Sequence, residues 1–96
     1  MMEVLVVLDI ARLSNKEEFE EFILDEGFAG IDNEPFAYMG ESTTPVFNTR
    51  AYIFEVFSKA FETAKISDCK IICQIGSNPP EAYLYEKDNF FTELKP

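Results

Sequence analysis

The sequence predicts an α+β domain: an antiparallel sheet with two helices on one of its faces. Two observations carry that expectation. Apolar runs of strand length alternate with two stretches of helical period, in the order β-α-β-β-α-β, with one more extended segment behind them. The 96-residue chain is 47 % hydrophobic and includes ten Phe and four Tyr, which is enough to close one core, so residues 1–96 read as a single domain.

Met2–Ile10 opens the chain as a short apolar run. Its β-branched residues Val4, Val6, Val7 and Ile10 favour an extended backbone, and the run reads as a strand buried on both faces. Asp9 stands near the C-terminal end of that strand, where chemistry often sits in α/β layers. Ser14 with Glu17 three residues on has the pattern of a capping box, and Phe19, Phe22 and Ile23 follow at helical spacing. Glu17, Glu18, Glu20, Glu21 and Asp25 would form the wet face of a helix over about 15–26, and Gly27 suits the left-handed residue that ends it.

Residues 28–31 read as a short strand, Asp32-Asn33-Glu34-Pro35 as a turn, and residues 36–40 as the returning strand of a hairpin. Thr44-Pro45 looks like a helix start, with Asn48 or Thr49 as alternative caps. Ile53, Val56, Phe57, Ala60, Phe61 and Ala64 keep a 3.6-residue period for three turns, which favours a helix over a strand through 51–57. Phe54 widens that stripe beyond what one sheet face usually needs. Residues 70–75 form the next strand, Gly76-Ser77-Asn78-Pro79-Pro80 breaks it, residues 82–85 form a further strand or edge segment, and Phe90-Phe91 docks the tail. The order is the split βαβ, or ferredoxin-like, pattern with an extra C-terminal strand. Helices on one face leave the other bare, and pairing with a second copy about a two-fold axis would cover it.

Charge narrows the function. Eight basic against 18 acidic residues give a formal charge of −10, which repels phosphate backbones and argues against nucleic acid as a partner. The lysines and arginines are scattered along the chain with no cluster. There is no His, which removes the commonest general base and metal ligand. Cys69 and Cys73 share a strand face about 13 Å apart, too far for a disulfide, and read as small hydrophobes in a reducing, cytoplasmic setting. No apolar run is long enough to span a bilayer, and no membrane partner is expected. Tyr38, Tyr83 and Tyr85 fall on strands, but without interleaved cations they read as core or dimer packing rather than base-stacking platforms. The hydroxyl-rich segment 41–44 reads as an ordinary helix entry.

Val4-Leu5-Val6-Val7-Leu8-Asp9-Ile10 resembles the opening strand of the small CRISPR-associated spacer-acquisition family. The helix ending in Gly27-Phe28 and the extra C-terminal strand are similar too. The GhoS antitoxin and VapD families share the same layout. The resemblance implies a homodimer in which Asp9 is the catalytic residue and a Mg²⁺ ligand of a nuclease, two copies meeting across the axis. Leu8 stands where Tyr is usual in the first family, the segment 41–48 is long, and a basic patch is missing. The residues themselves favour another reading: a small acidic binding or regulatory protein, antitoxin- or inhibitor-like and without a cofactor. It would engage a basic protein through Glu17, Glu20 and Glu21. The metal-dependent nuclease using an Asp9 pair is the alternative.

Overall fold

A computed structural model of the protein describes residues 1–88 and 90–94. The elements are β1 (Met2–Asp9), α1 (Lys16–Asp25), β2 (Ala29–Ile31), β3 (Glu34–Ser42), α2 (Val46–Thr63), β4 (Asp68–Ile75), β5 (Glu81–Glu86) and β6 (Phe90–Glu93). They form one antiparallel sheet in the order β2-β3-β1-β4-β5-β6. The first four strands have the ferredoxin-like arrangement. Two strands extend it beyond β4, where the sequence predicts one; the tail docks by making β6, whose Phe91 pairs with Tyr85.

β1 is held between β3 and β4, with Val6 opposite Tyr38 on one side and Cys73 on the other. Its burial alternates. Val4, Val6 and Leu8 are fully covered by the helices, whereas Leu5 and Val7 on the other face are half-buried. The strand is thus not enclosed on both faces as its composition predicts, because both helices pack on one side. Their buried residues are Phe19 and Ile23 from α1 and Ile53, Val56, Phe57, Ala60 and Phe61 from α2. Phe19 stacks on Phe61 at 5.9 Å between ring centroids, and Phe28 meets Phe57 edge-on at 5.2 Å. Tyr38, Tyr83 and Tyr85 are 1 %, 8 % and 2 % exposed in this core, so none offers a stacking platform.

The widened stripe of α2 has its explanation in the extra strands. Phe54 is stacked on Phe91 at 4.5 Å and meets Tyr83 edge-on at 4.8 Å, which covers the β5–β6 extension. One long helix therefore spans strands that the two helices of a four-stranded sheet would leave uncovered.

Both helix starts differ from the expected caps. α1 begins after Asn15, whose φ of −113° and ψ of 50° lie outside the extended region a capping side chain needs, and no side-chain cap bond forms; the Ser14–Glu17 box is one residue out of register. α2 begins after Pro45 rather than Thr44, again without a side-chain cap. The ends are more regular. Gly27, at φ +102°, closes α1 with the paired bonds Phe28 N–H to Ile23 C=O and Gly27 N–H to Leu24 C=O. α2 closes the same way through Ile66 and Lys65, with Lys65 in the left-handed position at φ +60°.

Gly40 is fixed by close approach. A Cβ there would lie 2.8 Å from the Gly27 carbonyl oxygen and 3.2 Å from the Phe28 ring, where the end of α1 crosses β3. Gly40→Ala should therefore lower stability by about 1–3 kcal/mol through overpacking, read as a reduced urea midpoint at unchanged slope.

Candidate functional site

The open face of the sheet is built by register. One row across it is Ala37–Val7–Ile72–Ala82, and the next is Met39–Leu5–Gln74. Met39 and Ile72 are exposed there, at 41 % and 37 %. Charges bound the apolar rows at both ends. Asp9 pairs in register with Lys70, and its Oδ2 lies 3.8 Å from the Lys70 ammonium, with both side chains largely in solvent. Such an exposed pair contributes little to stability. At the far end Glu3 stands directly opposite Glu41, a like-charge pair that opposes strand pairing.

Asp9 is thus where the sequence places it, at the end of β1 and accessible, but its neighbour is a lysine. Among the described residues no group of three or more Asp, Glu, Cys or His side chains is gathered as a metal-ligand set. A shared-metal role would need carboxylates from a second copy.

The acidic residues are unevenly distributed. From Glu17 to Thr49 the chain carries nine carboxylates and no lysine or arginine. That stretch is α1 after its first residue Lys16, then β2, β3 and the first turn of α2; the topology places α1, β2 and β3 together at one side of the molecule, where Lys16 lies over the Phe36 ring. Glu17, Glu21 and Asp25 follow one another at i, i+4 along the exposed side of α1, with Glu18 beside them. Like charges at this spacing oppose the helix, and no basic residue occupies its last turn. Glu20 has a different task. Its carboxylate accepts a hydrogen bond from the Tyr38 hydroxyl at 2.8 Å and lies 3.9 Å from Lys16, tying α1 to the sheet. Burial and the Glu20 carboxylate together hold the Tyr38 phenol proton well above its ordinary range. Of the three predicted binding residues, Glu17 and Glu21 point outward and Glu20 is partly structural.

The hydroxyls near α2 are already engaged with one another. Ser42, Thr44 and Thr49 form a triangle with Oγ separations of 2.6–3.0 Å, and Thr49 is 4 % exposed. Cys69 and Cys73 are buried free thiols, each pushed up to about 11 chiefly by burial, and are inert hydrophobes at neutral pH.

Two features are hidden from a linear reading. The first is a network joining α2 to β5. Arg50 donates from Nε and Nη2 to the two Glu81 oxygens at 2.6 and 2.8 Å, and Tyr83 donates to the same carboxylate. These donors hold the Glu81 carboxyl below its ordinary range. The second is a cavity of about 530 Å³ at the end of α2, lined by Glu62, Lys65, Ile66, Ser67, Tyr85 and Lys87. The lysines that look scattered in sequence therefore include two that fold to one place.

Comparisons with protein families, with curated proteins and with solved structures return no match.

A depressed carboxyl pKa contributes stability that is complete above the unfolded-state value near 4.3 and is lost as pH falls through the lower folded-state value. Glu81→Gln should cost about 1–3 kcal/mol at pH 7, with the Arg50 charge left without its partner. The gap from wild type should close as denaturation is repeated at successively lower pH below 4. A gap unchanged down to pH 2.5 would mean that the ion pair is not its source.

Proposed function

We propose that this protein is a small non-catalytic binding protein that engages a cationic protein partner through the α1–β2–β3 side and pairs with a second copy through the open sheet face. The observation that carries the first part is the run from Glu17 to Thr49, nine carboxylates without a single cation, gathered on one side of the fold. Glu17, Glu18, Glu21 and Asp25 are repulsive along α1 in the free chain. An approaching cationic surface relieves that repulsion, so the free-chain penalty becomes binding energy and steers encounter. An inhibitor or antitoxin that masks a basic surface has this character.

The second part rests on the open face. Among the described residues no helix covers Leu5, Val7, Met39 and Ile72, of which Met39 and Ile72 are exposed and Leu5 and Val7 half-buried. The face also has a directional charge pattern, Asp9 with Lys70 at one end and Glu3 with Glu41 at the other. Two sheets facing each other with strands antiparallel keep the two Glu3–Glu41 pairs apart and set each against the Asp9–Lys70 pair of the other copy, one cation with one further carboxylate. Parallel strands would stack four carboxylates at one end. The antiparallel arrangement also separates the two Asp9 side chains, which favours binding over shared-metal catalysis.

A lysine-rich peptide should bind with an affinity that falls steeply as salt is raised. Joint replacement of Glu17, Glu18 and Glu21 by Lys should abolish binding. The same reversal at Glu62, Asp68 and Glu86 should leave at least half the affinity. Equal loss from both sets would reduce the effect to net charge and overturn the assignment. For the sheet face, sedimentation at 100 µM should show a dimer for wild type and a folded monomer for Ile72→Lys; a monomeric wild type removes this part of the proposal.

A further inference from the structure

The cavity at the end of α2 brings together two lysines that take no part in the ion pairs of the fold. Lys16, Arg50, Lys59 and Lys70 each have a carboxylate partner, while Arg12, Lys65 and Lys87 form no ion pair among the described residues, and the last two meet at this cavity. In a chain with 18 acidic and 8 basic residues, two such lysines at one cavity stand against the composition. The backbone brings them there. Lys87 N–H donates to the Ser67 carbonyl at 3.0 Å, which pins the end of β5 to the loop that follows α2.

Lys65 holds its place against local preference. It occupies the left-handed residue of the helix-closing motif at φ +60°, where the equivalent residue of α1 is Gly27. Tyr85 is 2 % exposed, its ring packed on Phe61 at 4.7 Å between centroids, yet its hydroxyl makes no side-chain hydrogen bond among the described residues. Burial and the nearby Glu62 carboxylate raise the Tyr85 phenol above its ordinary range, which keeps it a proton donor. Ser67 adds a second hydroxyl, held only by a long 3.4 Å bond to Asp68, and Ile66 with the Tyr85 ring supplies an apolar wall.

We propose that this cavity binds the phosphate group of a small phosphomonoester. Lys65 and Lys87 supply point charges and the Tyr85 and Ser67 hydroxyls donate to the remaining oxygens. A volume of about 530 Å³ exceeds what a bare ion needs and falls within the range of small-molecule sites. The organic part of the ligand lies over Ile66 and Tyr85. Glu62 on the lining and Asp68, whose Oδ1 accepts from the Ser67 hydroxyl at 3.4 Å, oppose the two ammonium charges, so a phosphate must take over the Ser67 hydroxyl from Asp68.

The test is a titration of the ¹⁵N-labelled chain with inorganic phosphate, phenyl phosphate and acetate at constant ionic strength. Phosphate should give saturable shifts centred on Lys65, Ser67 and Lys87, with phenyl phosphate at least threefold tighter and acetate at least fivefold weaker than phosphate. Lys65→Gly should lose at least fivefold in affinity while its urea midpoint rises, since glycine relieves the left-handed position, so lost binding cannot be ascribed to unfolding. Glu62→Gln should tighten binding. Non-saturating shifts spread over Lys16, Lys59 and Lys70, unchanged affinity in Lys65→Gly, or acetate binding as tightly as phosphate would each overturn the proposal.

Discussion

The alternation of β1 is the constraint from which the rest follows. A strand at the centre of an antiparallel sheet sends successive side chains to opposite faces, and here only one face receives helices. Val4, Val6 and Leu8 anchor the core beneath α1 and α2; Glu3, Leu5, Val7 and Asp9 are committed to the other side. Once β3 and β4 pair with β1 in register, Met39, Lys70, Ile72 and Glu41 are committed there too. The open face therefore has an apolar middle and charged ends without any residue being free to choose otherwise. A one-residue slip of β1 would bury Glu3 and Asp9 beneath the helices, which makes this register costly to leave.

The same packing explains the asymmetry of the two helices. α1 covers the β2–β3 side and carries its charge outward, while α2 must reach across β4 to β6. Phe54 is the residue that makes that reach possible, through Phe91 and Tyr83. The Arg50–Glu81 pair, one turn earlier on the same helix, secures the start of β5. The molecule is thus divided electrostatically as well as mechanically. The early half of the sheet, with α1, carries nine carboxylates against the single cation Lys16, and the later half carries Lys70 of β4 and the lysines of the loops at the end of α2 and β5.

Most of the fold was legible because period and composition agree. The 3.6-residue repeat from Ile53 to Ala64, Gly27 behind α1 and the strand-length run at the start each point to one element. Cap positions were less legible, since Ser14 and Thr44 satisfy the residue preference while the backbone at Asn15 and Pro45 decides the register. β6 was hard to see because Phe90-Phe91 is two residues long as an apolar signal, and its support comes from Phe54, 37 positions earlier. For the site, Glu17 and Glu21 were visible from helical spacing, but the Tyr38–Glu20 bond was not, being a contact between elements. The acid run to Thr49 was present in the linear sequence. What turned it into a surface is the adjacency of α1, β2 and β3.

Three local arrangements depart from what each element alone would prefer. Glu3 faces Glu41 across two strands, Glu17, Glu21 and Asp25 repel along one helix, and Lys65 stands where glycine is the easier residue. Local rules tend to be broken where a site is maintained at some cost to stability. Each departure here concerns a charged residue rather than core packing, and each lies at the surface or at a cavity. Were these charges present only for solubility, positions with no opposing neighbour would serve as well, and Lys65 in particular would gain nothing from a left-handed residue. Placing a cation there fixes where its Cα stands relative to the cavity, while the four-carbon stem remains free to turn. That fixed origin, opposite Lys87 at the end of β5, is what brings two lysines to one cavity in an acidic chain.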